Sequence, residues 1–112
     1  MKASVLHEEL QNVTFRIHGR RIPTARSVVL VGSFNRWDTS AHKLTRGPDG
    51  WWTVSLTLGP GTYTYLFLVD GVPWNDPEDD GRVASEWGGQ YSVRVVKAWR
   101  GERRETPSAQ IA

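Results

Sequence analysis

Two groups of residues in this chain have types and spacing that could do chemistry: its tryptophans and one run of carboxylates. Six Trp occur in 112 residues, at Trp37, Trp51, Trp52, Trp74, Trp87 and Trp99. A core of this size has little room for all six rings. At least two are therefore expected on the surface, where a large exposed apolar side chain marks a contact. The carboxylates are Asp76, Glu78, Asp79 and Asp80. Glycoside hydrolysis uses carboxylate pairs placed on either side of a bond. These four share one short segment, and nothing in the sequence sets a group opposite them. Their spacing fits no EF-hand loop, and His7, His18 and His42 have no metal-ligand spacing. No phosphate loop or nucleophile elbow is present. With no Cys there is neither a disulfide nor a thiolate site. The reading is no catalytic residue, no metal and no cofactor.

Charge narrows the partners. The net charge of +2 comes from Lys97, Arg100, Arg103 and Arg104 set against Glu102 and Glu105, which leaves residues 1–96 balanced. The basic pI belongs to a tail, so nucleic acid is not an expected partner. Glu8 and Glu9 interrupt the N-terminus before any secretory core could form. No stretch reaches membrane-spanning length. No membrane partner and a cytoplasmic location are expected.

The elements that must position the tryptophans read as strands. Val13, Phe15 and Ile17 alternate with polar residues, so they share one face. Arg20 to Arg26 is a loop, and Ser27 to Val31 is an apolar run typical of a central strand. Gly32 to Ser40 is a connection that carries Phe34 and Trp37. Gly47-Pro48-Asp49-Gly50 is a turn by composition. Trp52, Val54, Leu56 and Leu58 face one way, which makes Trp52 core and leaves Trp51 exposed or loop-covered. After the Gly59-Pro60-Gly61 turn, Tyr63, Tyr65, Phe67 and Val69 share a face. Leu66 and Leu68 break the polar side of that strand, so a loop covers them or they stay partly exposed. Asp70-Gly71 is a hairpin signal. Pro73 to Gly89 reads as a long irregular loop, and Gln90 to Val96 as a closing strand. Short strands with turns about every ten residues predict a β-sandwich. The organisation expected is an N-terminal extension over 1–11, a sandwich over 12–96 and a flexible polar tail over 97–112, with Trp99 an oddity in it.

Three segments carry a family resemblance. They are Val31-Gly32-Ser33-Phe34-Asn35-Arg36-Trp37-Asp38, then Tyr65 to Gly71 followed by Trp74-Asn75-Asp76-Pro77, then Trp87-Gly88-Gly89-Gln90-Tyr91-Ser92-Val93. Their order and spacing resemble the glycogen-binding modules of AMP-activated protein kinase β subunits. They are equally similar to the isoamylase N-terminal-type modules of glycogen branching and debranching enzymes. The likeness covers residues 12 to 96. It implies an all-β, immunoglobulin-like early-set sandwich that binds α-1,4-linked glucan. By that resemblance Trp37, Trp74 and Trp87 would hold sugar. The chain departs from the kinase-type pattern at three places. Leu66 stands where that pattern has Lys, Pro73 occupies the column of the second Trp, and Tyr91 replaces an Asn.

The chemistry suits a sugar. One face of a pyranose presents C–H groups that pack on an aromatic ring, at roughly 25 cal/mol per Å² removed from water. The hydroxyl rim needs donors and acceptors, because an unpaired buried hydroxyl is costly. Trp37, Trp74 and Trp87 could supply the platform. Asn35, Asn75 and Gln90 could supply the rim, with Leu66 and Tyr91 in the remaining family positions. Asn35 and Asp70 also read as turn residues, and Gly88 and Gly89 as backbone requirements. Two alternatives stay open. The chain could be a protein-interaction or dimerisation module that uses Leu66 and Leu68, or a non-catalytic domain of a branching or debranching enzyme. Expected partners are α-glucan, and a glycogen-metabolising enzyme or a second copy.

Overall fold

The computed structural model describes residues 10–98; residues 1–9 of the expected extension over 1–11, and residues 99–112 of the expected tail over 97–112, Trp99 among them, lie outside them. Eight strands follow in order: β1 (Gln11–His18), β2 (Val28–Gly32), β3 (Thr45–Arg46), β4 (Trp51–Leu58), β5 (Gly61–Val69), β6 (Val72–Trp74), β7 (Gly81–Ala84) and β8 (Gln90–Val96). They form two antiparallel sheets, β1-β4-β3 and β2-β5-β8-β7, with β6 also pairing with β5. Along β5, residues 61–65 pair with β8 and 67–69 with β6. The segment from Pro73 to Gly89, expected as an irregular loop, thus contains most of β6 and all of β7. Gly81-Arg82-Val83-Ala84 has little strand propensity of its own, and pairing with β8 makes it a strand. β3 is equally local, two residues added to the edge of β4.

The alternating sets meet between the sheets. Phe15 and Ile17 from β1 and Trp52, Leu56 and Leu58 from β4 pack against Leu30, Tyr65, Phe67 and Val69. Phe15 and Tyr65 touch edge to face at 4.9 Å, the orientation their ring quadrupoles favour. Trp51 points the other way. The Arg16 guanidinium covers its ring at 4.1 Å and His18 meets it edge-on at 4.8 Å. A second apolar cluster lies on the outer face of the β2-β5-β8 sheet. There Val29, Val31 and Leu66 are buried beneath Trp37, Leu68 and Tyr91. This is why Leu66 and Leu68 break the polar alternation: the outer face has its own cover.

The acidic segment is fastened rather than loose. Asp76 is wholly buried. It accepts hydrogen bonds from the Tyr65 hydroxyl at 2.6 Å and from the Glu78 amide at 2.8 Å. Its own amide donates to Ser92 Oγ at 2.9 Å. Arg94 lies 3.9 Å from the same carboxylate, stacks on Phe15 and reaches the Thr14 carbonyl, so it ties β8 to β1. Glu78 pairs with Arg16, Asp79 with Arg82, and Asp80 accepts from the Val95 amide. At the far end of β1, Gln11 Nε2 donates to the Lys97 carbonyl at 2.6 Å, closing the two ends of the body on each other.

Burial holds the Asp76 carboxyl above its ordinary pKa of 3.8, although the Tyr65 hydroxyl, the Glu78 amide and Arg94 all pull it down. A raised carboxyl binds a proton more readily folded than unfolded, so its ionisation costs stability above the folded pKa. That cost disappears as pH falls to 3.8. Urea unfolding of wild type and Asp76→Asn from pH 7 to pH 3 is expected to show wild type gaining on the variant through that window. Asp76→Ala, which leaves Tyr65 and the Glu78 amide unpaired, is expected to cost about 2–4 kcal/mol. Glu78→Gln, which breaks an exposed pair, is expected to cost under about 1 kcal/mol.

Candidate functional site

The Gly32–Asp38 connection is built to present one ring. A Cβ on Gly32 would lie 2.7 Å from the Phe34 ring and 2.7 Å from the Thr64 carbonyl, so only glycine fits there. Ser33 is locked to β5: its amide donates to the Thr64 carbonyl and its Oγ accepts from the Thr64 amide. Phe34 turns inward to Phe15, Tyr63 and Tyr65. Asn35 accepts from the Gly32 amide, donates to the Leu30 carbonyl and touches His42 Nδ1 at 2.9 Å. Arg36 and Trp37 then adopt left-handed φ of 57° and 58°. Two consecutive non-glycine residues in that region cost roughly 1–2 kcal/mol each. Hydrogen bonds from the Asn35 and Trp37 amides to the Gly32 carbonyl hold them there. The result lays Trp37 over the outer face of the second sheet.

Tyr91 of β8 completes the surface. Its ring lies 4.8 Å from that of Trp37, tilted by 37°. Its hydroxyl donates to Glu86 Oε1 at 3.0 Å. Loss of solvent, then the Glu86 bond and charge, push the Tyr91 hydroxyl pKa up, and the Trp87 indole opposes them. The Glu86 carboxyl is held below its ordinary value by its own backbone amide and then by Tyr91. Glu86 and Trp87 occupy the turn between β7 and β8, closed by Ser85 and Gly89. Trp87 is 54% exposed, and its ring lies across Gly89, where a Cβ would fall within it. Tyr91 thus touches Trp37 through its ring and Glu86 through its hydroxyl.

The remaining candidates divide by strand parity. Trp74 is opposite Phe67 and Pro73 opposite Leu68. Facing residues in a ladder share a side, so Pro73 joins the outer face and Trp74 points to the side of the core residues. Trp74 is therefore not on the face that carries Trp37, where the ring beside Trp37 is that of Tyr91. Leu66 is only 5% exposed and is the floor under the rings rather than their rim. Asn35 has both ends of its amide committed to the loop. Asn75 spends its NH₂ on the Gln90 carbonyl and Ser92 Oγ. Gln90 is exposed but alternates with Tyr91, which puts it on the other side of β8. Two groups went unnoticed in the sequence. Glu86 carried no signal until pairing set it against Tyr91. Lys43 bridges to Val29 and so brings an exposed ammonium to the same outer face.

Such a surface can pack a flat C–H face on aromatic rings while Glu86 accepts from, and Lys43 donates to, hydroxyls at its edge. The family model described as carbohydrate-binding module 48 (isoamylase N-terminal domain) matches residues 2–108. Protein FLOURY ENDOSPERM 6 of Oryza sativa is 45% identical over 53 residues, 47% of this chain and 10% of that protein. The 1,4-alpha-glucan-branching enzyme of Emericella nidulans is 39% identical over 54 residues, 48% of this chain and 8% of that enzyme. This chain thus spans about a tenth of the length of these relatives. The maltogenic amylase from S. marinus superposes with a TM-score of 0.62 over 79% of this chain and 14% of its own, at 24% identity, a likeness of fold.

Gly89→Ala tests the packing of the turn. The new methyl is expected to lift Trp87 off residue 89 at a cost of about 1 kcal/mol or less, since the ring swings toward solvent. The Trp87 indole N–H resonance should move while that of Trp52 stays in place. An unmoved Trp87 signal would show that its ring does not rest on residue 89.

Proposed function

Since the chain belongs to the carbohydrate-binding module 48 family, we propose that it binds α-1,4-linked glucan without acting on it chemically, on the outer face bearing Trp37 and Tyr91. The observation that carries this reading is the pairing of those two rings at 4.8 Å over a dry floor of Val31 and Leu66. The rings are fixed before any ligand arrives, which spares binding the entropy of ordering them. Burying about 60 Å² of pyranose surface on them contributes roughly 1.5 kcal/mol per sugar. Glu86 stays ionised at neutral pH and keeps its second oxygen for a sugar hydroxyl. Lys43 supplies the ammonium that Leu66 does not.

The non-catalytic part of the reading is supported by the carboxylates. Asp76, Glu78, Asp79 and Asp80 are each engaged in holding the β6–β7 segment. Among the described residues, none stands across a groove from another acid as glycoside hydrolysis requires. The protein-contact alternative relied on Leu66 and Leu68, yet Leu66 is buried beneath the rings. The Trp37 face would serve equally in a chain acting alone or joined to a catalytic domain.

Calorimetry with maltoheptaose is expected to show weak, millimolar-to-micromolar binding by wild type. Trp37→Ala should lower affinity about 10- to 100-fold, the loss expected of a central aromatic anchor. Glu86→Gln, which keeps the shape and removes the charge, should lower it about threefold. Binding undiminished in Trp37→Ala would remove this surface from the reaction. No heat from wild type at millimolar sugar would defeat the glucan reading altogether.

A further inference from the structure

Trp74 and Trp51 are left without a role by the Trp37 face: Trp74 points to the core side of its sheet, and Trp51 points away from the core on the other sheet. Trp74 is 39% exposed, and Val72, two residues before it, is 56% exposed. Trp74 and Val72 line a groove together with the segment Arg21 to Ala25 and Asp70. A neighbouring groove is lined by His18, Arg20, Trp51 and Glu78, and Arg21 borders it too. The two depressions therefore meet at the short 3₁₀ turn Gly19–Arg21 that follows β1.

The chemistry of this surface is uneven in an informative way. Arg16 is occupied, stacked on Trp51 and paired with Glu78 at 3.0 Å. Asp70 is occupied too, accepting from the Arg26 and Ser27 amides. Arg20 and Arg21 have no carboxylate partner among the described residues. The His18 ring accepts from the Arg20 amide and so helps set the turn that carries both guanidiniums. An exposed indole beside an unpaired planar fork of N–H donors combines the two demands of a sugar: a face for the C–H groups and donors for adjacent hydroxyls.

Resting on the glucan reading above, we propose that this surface is a second α-glucan site. Trp74 is its platform, Arg21 its central hydrogen-bond donor, and the Arg20–Trp51 groove its continuation. It would bind more weakly than the Trp37 face, having one open ring rather than a fixed group of them. The two sites lie on different sides of the sandwich, so one molecule could hold two glucan strands at once.

The test uses the uniformly ¹⁵N-labelled full chain, whose tryptophan indole N–H signals can be assigned by single Trp→Phe variants and followed during titration with maltoheptaose. The Trp37 and Trp87 signals are expected to saturate first, and those of Trp74 and Trp51 later. Trp74→Ala and, separately, Arg21→Ala should weaken the second event about tenfold or more and leave the first unchanged. Trp37→Ala should do the reverse. Movement at Trp37 with none at Trp74 or Trp51 would overturn the second site and spare the first. Movement at Trp74 that vanishes in Trp37→Ala would also overturn it, since the two would then be one event. A response of Trp51 to inorganic phosphate but not to maltoheptaose would replace it with an anion site. No movement at any indole would fail the glucan reading itself.

Discussion

The segment after β6 and the start of β8 are held from one buried hydrogen bond, that between the Tyr65 hydroxyl and the Asp76 carboxylate. The Tyr65 ring is the centre of the aromatic core, in contact with Phe15, Phe34 and Phe67. Its hydroxyl cannot be left unpaired there. Asp76 satisfies it, and in doing so draws in the segment that follows β6. Ser92 and Arg94 on β8 then take hold of the same carboxylate and amide. Tyr91, between the Gln90 carbonyl that receives Asn75 and the Ser92 hydroxyl that receives Asp76, is fixed on the outer face as a result. A polar contact in the core thus sets the position of a ring on the surface.

The outer face follows from strand alternation. A shift of one residue along β6 moves a side chain through the sheet. That is the whole difference between a tryptophan at 73 and one at 74. Proline at 73 keeps the outer face smooth, and Trp74 goes to the other side. Leu66 and Tyr91 belong to the same rearrangement. A lysine at 66 would place its ammonium beneath two rings, whereas leucine fills that space and lets Tyr91 lean on Trp37. The polar groups of this face stand at its margins, Glu86 in the turn and Lys43 at the sheet edge.

Much of the fold was legible in the sequence because it rests on local rules. Val13, Phe15 and Ile17 announced a strand by period, and Asp70-Gly71 announced a hairpin. That turn is real, with φ of 51° and 84°, and Asp70 also clasps the Arg26 and Ser27 amides. Trp52 was separable from Trp51 by parity alone. What stayed hidden depended on pairing between distant segments. β7 has no strand signature until β8 supplies its partner. The acidic run looked like a solvated loop, because nothing local distinguishes Asp76, which is buried, from Asp79 and Asp80. Exposure could be read where the motif is contiguous, at Trp37 and Trp87, but the side of the sheet could not where register decides, at Trp74 and Gln90. Asn35 shows the limit of residue type as evidence: an amide well suited to a sugar is consumed by the loop that presents the ring beside it.

The bond from Gln11 to the Lys97 carbonyl has a consequence for topology. Because the first and last strands end side by side, the body is nearly a closed ring of chain. A short peptide could join 97 to 11, and new ends could be opened at the exposed Gly47-Pro48-Asp49-Gly50 turn without cutting a strand. The order in which the strands are synthesised would change, yet every antiparallel pairing and both faces would be retained. This architecture is therefore suited to circular permutation, and equally to insertion within another protein, where host chain would enter and leave at a single point.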